Sequence, residues 1–366
     1  MKVNLISINR QHILDTAKSL HDAGADVRFY TMVPKKRCKS YGLPYSCCYS
    51  FFSKMVLLYI LNRIFKNKYY EKVQRAFRNH VMSSMRQCDA IIINGYGLGF
   101  DAEDYNQMKK KYGAVVIMEW GSKHIIEDRK AQNAIETYPK KWYDLDMTKY
   151  DSADYISIPA LHVKDSFTMH KIPESKLFIN PYGANLSFFK PSVLQPQHFD
   201  LIMVGNWGMR KGCDMIIELC VKYGYKFLHV GPLGDITFPK DVETMHHIDA
   251  VDEKTLPQYY TQAKVFILPS RTEGLALVQA QAMACGLPMV CSKNTGGIDL
   301  ARIADAESAT FVFDDYDIEA IKDCVVKALA YADNQKGKRV VAKHLEKLSW
   351  QRYGKTYYEF LKEIIK

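Results

Sequence analysis

None of the nine cysteines forms a C-x-x-C pair, so no zinc site is expected, and no metal. The odd count, with Cys47 and Cys48 adjacent, argues against a disulfide framework. Reduced thiols of a cytoplasmic protein are the expectation. Long apolar runs are missing too. Met55–Leu61 is far short of the roughly 20 residues that cross a bilayer. The opening MKVNLISINR lacks the basic leader, apolar stretch and small-residue cleavage site of a secretory signal, and none is expected. Repeats of solenoid period and low-complexity tracts are also absent, which leaves an ordinary globular enzyme or binding protein.

Acids are scarce in one region only. Residues 1–86 hold four (Asp15, Asp22, Asp26, Glu71) against sixteen Lys and Arg, a balance of +12 within a total of +10. A nucleic-acid binder of this length would be basic throughout, so no nucleic-acid partner is expected. The concentrated charge points instead to an acidic surface or substrate met by the N-terminal part.

What is present is enough for two cores. The 366 residues, 48% of them hydrophobic, suit two α/β domains. Strands are expected at Lys2–Ile8, Asp26–Tyr30, Ala90–Asn94, Ala114–Met118 and Tyr155–Ile158, alternating with helices at Ile13–Ala23, Asp101–Tyr112 and Lys164–His170. A breaker-rich stretch, Asn180–Pro196, reads as a linker. A second series follows: strands Leu201–Val204, Phe227–Val230, His247–Val251, Val265–Leu268 and Met289–Cys291, with helices Gly212–Tyr223, Thr255–Gln262 and Gly274–Cys285. Such alternation predicts doubly wound parallel sheets, which bind ligands beyond the carboxyl ends of their strands. Trp350–Ile364 has helical spacing.

Two segments carry chemistry. In PSRTEGLALVQAQAMACGLP (269–288) a strand ends at Pro269, a turn carries Glu273-Gly274, and an Ala-rich helix follows. A helix start offers free N–H groups and a favourable dipole to a phosphate, and Gly274 permits close backbone approach. Glu273 and Gln281 are eight residues apart, about 12 Å along a helix, which suits groups gripping opposite ends of a sugar-diphosphonucleoside. In VGNWGMRKG (204–212) a strand runs through Gly205 and Asn206 to Arg210, Lys211 and Gly212 at a helix start. Cations there would meet the charge that grows on a leaving nucleoside diphosphate.

These blocks resemble the signature of retaining family 4 glycosyltransferases of the GT-B fold. The first matches P-S-x-x-E-G-x-x-L and A-M-A-x-G-x-P at Pro269, Ser270, Glu273, Gly274, Leu277, Ala282, Met283, Ala284, Gly286 and Pro288, with Gln281 where the family has its second acid. The second matches at Lys211 and Gly212, with Asn206 where an arginine is usual and Arg210 beside the lysine. HIDAVDEKTLPQYY (247–260) resembles the family's E-x-L-P-x-x-Y segment, and EWGSKHI (119–125) a variant carrying a histidine. The turn after the first strand, Ser7–His12, lacks the family's glycine pair.

The resemblance implies an α/β fold of two Rossmann-like doubly wound domains facing across a cleft. The N-terminal acceptor domain would span 1–185 plus a crossing helix at 349–366, and the donor domain 186–348. It implies a metal-independent hexosyltransferase without cofactor. Glu273 would hold the donor sugar, Lys211 the diphosphate, and His124 would face the sugar, a surface or capping histidine being the alternative. Gly205, Asn206, Arg210, Val251, Gly274, Leu275, Ala276, Leu277 and Gln281 would line the nucleotide-sugar donor, with Gln281 at the ribose and Val251 in the loop at the base. The acceptor would be a surface glycan or lipid-linked glycan.

The aromatic and basic segment 51–86, with Lys54, Arg63, Lys66, Lys68, Lys72 and Arg75, fits either a peripheral helix on an anionic inner membrane face or a solvated helix covering the sheet. An inert sugar-nucleotide-binding protein and a nucleotide-freeing epimerase are the competing functional readings.

Overall fold

The computed structural model describes residues 1–65, 67–96, 99–134, 136–191, 196–335, 339 and 341–365. Lys66 and residues 192–195 of the expected linker lie outside the described residues. The first sheet holds β1 (Lys2–Ser7), β2 (Asp26–Thr31), β3 (Cys48–Ser50), β4 (Ala90–Asn94), β5 (Val115–Glu119), β6 (Tyr155–Ile158) and β7 (Leu177–Ile179). They run parallel in the order β3-β2-β1-β4-β5-β6-β7. The second holds β8 (Phe199–Val204), β9 (Phe227–Val230), β10 (Met245–Ile248), β11 (Ala263–Leu268), β12 (Met289–Ser292) and β13 (Thr310–Phe313). Its order, β10-β9-β8-β11-β12-β13, is again parallel.

Central strands are apolar on both faces because helices cover both faces of a parallel sheet. The residues AIIIN of β4 and MVCS of β12 are buried throughout. Each sheet reverses its strand order once, between β1 and β4 and between β8 and β11, and a doubly wound sheet opens its ligand crevice at that reversal.

The C-terminal helix Trp350–Ile364 leaves the second sheet and packs on helix Gln11–Asp22 of the first. Its tyrosines fix it there. The Tyr353 and Tyr357 hydroxyls donate to the buried Glu119 carboxylate at 3.4 and 3.3 Å, and Arg352 donates to Asn180 Oδ1 at 2.7 Å. All nine cysteines are free.

Several boundaries differ from expectation. The helix expected at Lys164–His170 is Leu161–Thr168, and the strand expected at His247–Val251 is Met245–Ile248. The helix expected from Gly274 begins only at Leu277, because Glu273–Ala276 is held in a turn pinned by Glu273 N–H on the Asn294 carbonyl at 3.0 Å. Segment 51–86 is two helices, Phe52–Ile64 and Tyr70–Ser84. Arg78 of the second grips Asp104 of the neighbouring helix Ala102–Tyr112, Nε to Oδ2 at 2.6 Å.

Candidate active site

The ends of β8 and β11 meet at the reversal of the second sheet. Gly212 has φ +74°, and a Cβ there would stand 2.2 Å from the Pro269 carbonyl oxygen. Only glycine lets the turn Met209–Lys211 lie against the end of β11. Arg271 braces that turn. Its guanidinium forks onto Asp214 at 2.7 and 2.6 Å and donates to the Met209 carbonyl at 2.6 Å. Asp235 Oδ1 accepts from the Met209 N–H at 3.1 Å on the other side.

The braced turn delivers two cations to one carboxylate. Lys211 Nζ lies 2.6 Å and Arg210 Nη1 2.9 Å from the same Glu273 oxygen. Glu273 is only 8% exposed. Burial alone would push its pKa up, but Lys211 and then Arg210 outweigh it and hold the carboxyl below its ordinary value. The cluster is therefore ionised at neutral pH, and its two cations leave one positive charge for an incoming anion. Beside it the helix Leu277–Ala284 starts with no side-chain cap; the Gln279 N–H bonds the Ala276 carbonyl at 3.0 Å, which leaves the N–H groups of Leu277 and Val278 to meet a ligand. Leu275 and Ala276 are buried in the preceding turn.

The first sheet closes on this cluster. A Cβ on Gly274 would stand 1.9 Å from the Gly121 carbonyl oxygen, so the two halves touch there backbone to backbone. His162 Nε2 donates to the Glu273 carbonyl at 2.9 Å, and Lys123 donates to Asn294 Oδ1 at 2.7 Å. Asp128 Oδ1 accepts from Ser122 Oγ at 2.9 Å and from Thr272 Oγ1 at 3.0 Å. At the first residue of helix Gln11–Asp22, which follows β1, Gln11 takes φ 33° where glycine would be at ease, a strain of order 1–3 kcal/mol.

Other expected residues fall elsewhere. His124 is fully buried, not in the cleft. Its ring stacks on His170 at 4.1 Å and packs on Tyr150 and Phe167, and neither ring nitrogen has a hydrogen-bond partner among the described residues. Burial, then the neighbouring His170, lowers its pKa to about 3, so it is neutral. It starts helix Ile125–Ala131, whose first turn packs inward. Asp128, one turn on, reaches the cleft instead.

Gln281 is half-buried and accepts from the Tyr260 hydroxyl at 3.2 Å. Because the helix starts at Leu277, Glu273 and Gln281 do not share a helix face. Asn206 is exposed beyond Gly205, its amide against Gly208 and Gly234. Val251 lines a cavity of about 720 Å³ with Arg10, Tyr41, Phe188 and Trp350, but Lys211, Glu273 and Gln281 do not. Lys123, Arg271 and Asp128 escaped the sequence reading as cleft residues, whereas His162, eight residues after Asp154, fits the interdomain region of the family the chain resembles.

Residues 198–331 match the family described as "Glycosyl transferases group 1". The sulfoquinovosyl transferase of Arabidopsis thaliana is 29% identical over 168 residues, which cover 43% of this chain and 32% of that protein. The chain thus spans about a third of that relative's length.

Among solved structures, sucrose-phosphate synthase from Thermosynechococcus elongatus superimposes with a TM-score of 0.69 at 16% identity, covering 100% of this chain and 99% of that one. Anabaena HepE in complex with UDP and glucose does so with a TM-score of 0.64 at 13% identity, covering 100% of each. Both sheets and the cleft of this chain follow the GT-B fold. The matched domain contains Gly205, the Arg210–Lys211 turn, Glu273 and the helix Leu277–Ala284.

Proposed function

We propose that the protein transfers a sugar from a nucleotide-diphosphate sugar to an acceptor hydroxyl, with retention and without a metal. The observation that carries this is the Lys211–Glu273–Arg210 cluster beside an uncapped helix start, inside a cleft where the two sheets touch. Lys211 and Arg210 neutralise the diphosphate as the glycosidic bond breaks, which is the step where charge develops. Once they turn to the diphosphate, Glu273 is free to bind sugar hydroxyls. Gln281 and Tyr260 offer neutral hydrogen bonds at the ribose end. UDP-sugars are the first donors to test, since the structural relative HepE holds UDP and glucose.

Incubation with a panel of UDP-sugars and NMR of the product anomer tests this reading. Release of nucleoside diphosphate with an unchanged anomeric configuration supports it. Binding without release would make the chain an inert sugar-nucleotide-binding protein.

The acceptor in this reading is a lipid-linked or surface glycan met at the inner face of a membrane. Among the described residues no helix is long and apolar enough to cross one. What supports docking is helix Phe52–Ile64, where Leu57 and Ile64 are 69% and 64% exposed among Lys54 and Arg63. Exposed apolar side chains on one face beside cations are what a helix lying on an anionic surface presents.

A further inference from the structure

The segment that carries Arg210 and Lys211 to Glu273 leaves β8 at Gly205, and one side chain holds its first carbonyl. His229, on β9 and wholly buried, places Nε2 2.8 Å from the Gly205 carbonyl oxygen. Two glycines let the strand ends come this close. Gly205 has φ +137° and Gly231 φ +148°, and a Cβ on Gly231 would stand 2.1 Å from the same carbonyl oxygen. The His229 ring also packs on Trp207, with centroids 4.9 Å apart. One imidazole therefore touches the segment twice. The other braces, Asp235 and Arg271, act further along, at Met209.

A second histidine fixes which nitrogen of that ring carries the proton. His247 of β10 is the register partner of His229, and register partners on adjacent strands put their side chains on one face. The two rings stack with centroids 5.0 Å apart, and their Nδ1 atoms lie 2.9 Å from each other. A carbonyl oxygen only accepts, so His229 Nε2 bears a proton. Burial, foremost, lowers the His229 pKa to about 4 despite the Gly205 bond, so the ring is neutral and its Nδ1 has a free lone pair. The contact between the two Nδ1 atoms must then take its proton from His247. On its far side His247 Nε2 lies 3.3 Å from Asp249 Oδ1, an exposed carboxylate that accepts when this nitrogen is protonated too. Phe238 packs on both rings.

We propose that His229 is a positioning residue of the transferase, kept in its Nε2–H form by His247, and that it sets the place of the segment bearing Arg210 and Lys211. The inference rests on the transferase reading above and adds to it the support of the cationic turn. A neutral imidazole carries its proton on either nitrogen, and the hydrogen bond made by one decides the other. In the Nδ1–H form, His229 would turn a lone pair on the Gly205 carbonyl and a proton on the Nδ1–H of His247. Only the Nε2–H form satisfies both contacts. Losing it leaves the Gly205 carbonyl without this donor and the start of the segment free to shift, and Lys211 and Arg210 move with it.

The test compares His229→Phe, which keeps a ring without a donor, with His229→Gln, whose amide N–H stands in for Nε2–H. Well below the unfolding temperature, kcat with a UDP-sugar should fall about tenfold in His229→Phe and return to within about threefold of the parent in His229→Gln. His229→Asn, whose shorter amide stands in for Nδ1 and not Nε2, should lose as phenylalanine does, and guards against misfolding of that variant. A role in stability alone would lower the melting temperature and leave kcat unchanged. Nitrogen NMR at neutral pH should show His229 protonated at Nε2 only, with the two forms mixed in His247→Phe. Parental kcat in folded His229→Phe or His229→Asn protein, or a His229 proton at Nδ1 in the parent, overturns the proposal. UDP titrated into the same samples separates the two readings. A parent that neither binds UDP nor turns over a UDP-sugar refutes the transferase reading and this proposal with it, whereas an active parent with indifferent His229 variants refutes this proposal alone.

Discussion

The backbone carbonyl of Glu273 accepts a hydrogen bond from His162 Nε2 at 2.9 Å, so the residue assigned to the donor sugar is tied to the opposite half of the molecule. Burial, foremost, lowers the His162 pKa to about 4, which keeps the ring neutral and able to donate from one nitrogen while the other is free of charge. The bond couples closure of the cleft to the position of Glu273. His162→Ala should therefore raise the donor KM and lower kcat together, by about tenfold for one lost hydrogen bond, with the melting temperature near parental. An unchanged donor KM would remove His162 from the closing machinery.

Lys211→Ala removes the nearer of the two cations on Glu273 and should cost on the order of 10²–10³ in turnover. Arg210→Ala should cost less, since its side chain is 43% exposed and water can replace part of it. Steady-state rates with a UDP-sugar decide this. Equal losses would mean that Arg210 fills the place of the arginine missing at Asn206.

Gly274→Ala tests closure without touching a charge. The added methyl would meet the Gly121 carbonyl oxygen at 1.9 Å, and neither partner is a flexible side-chain end that could give way. The halves must part, so kcat/KM should fall by at least about 10²-fold, as misplacement on the order of 1 Å does, while each sheet stays folded. Small-angle scattering should show a wider cleft. Parental kinetics in a folded variant would mean that this contact is not part of the reactive state.

Stability should fall on mild acidification. Burial, foremost, depresses the pKa of His124 to about 3 and of His162 and His229 to about 4, against 6.5 when unfolded. Below pH 6.5 the unfolded chain gains protons that the folded chain refuses, so this stabilisation is complete above 6.5 and is lost as pH falls towards 3–4. Asp15 acts the other way. Burial raises it from 3.8 to about 6, so its contribution is present below 3.8 and lost as pH rises through 6. Glu253 and Asp299, which burial also raises, act with Asp15, while cations hold the Glu273 and Asp214 carboxyls low so that these act with the histidines. The histidines are displaced furthest, so a net loss is expected at pH 5. Melting temperatures from pH 7.5 to 5 should drop, and His124→Phe should flatten the slope. A flat profile in the parent would refute the assignment of neutral buried histidines.

Docking on anionic lipid should depend on both the cations and the bare apolar side chains of Phe52–Ile64. Sedimentation with vesicles of graded anionic content should pellet the protein at low salt and release it at 1 M, where the Debye length is about 3 Å. Charge reversal at Lys68 and Lys72, each worth about 1 kcal/mol at such a surface, should release it, as should Leu57→Glu with Ile64→Glu. A parent protein that stays in the supernatant at low salt would leave this a solvated helix.

The alternating strands and helices, the strand-to-helix turns at Gly205–Gly212 and Pro269–Leu277, and the terminal helix were legible because each rests on local spacing. Apolar runs of strand length, a glycine at a turn and a helical period depend only on neighbours in the chain. The edge strands β3, β7 and β13 were not legible, since they are three or four residues long and exist through pairing with distant partners.

Side-chain direction was the other thing hidden. His124 and His162 look alike in sequence, yet Tyr150, Phe167 and His170 draw one inward while the packing of Leu161–Thr168 against the second half turns the other onto Glu273. Glu273, Lys211 and Arg210 could be named from the chain alone. That they share one oxygen, with Arg271 bracing the turn beneath them, was decided only by contacts between segments about sixty residues apart, because burial and closure are properties of the packed molecule.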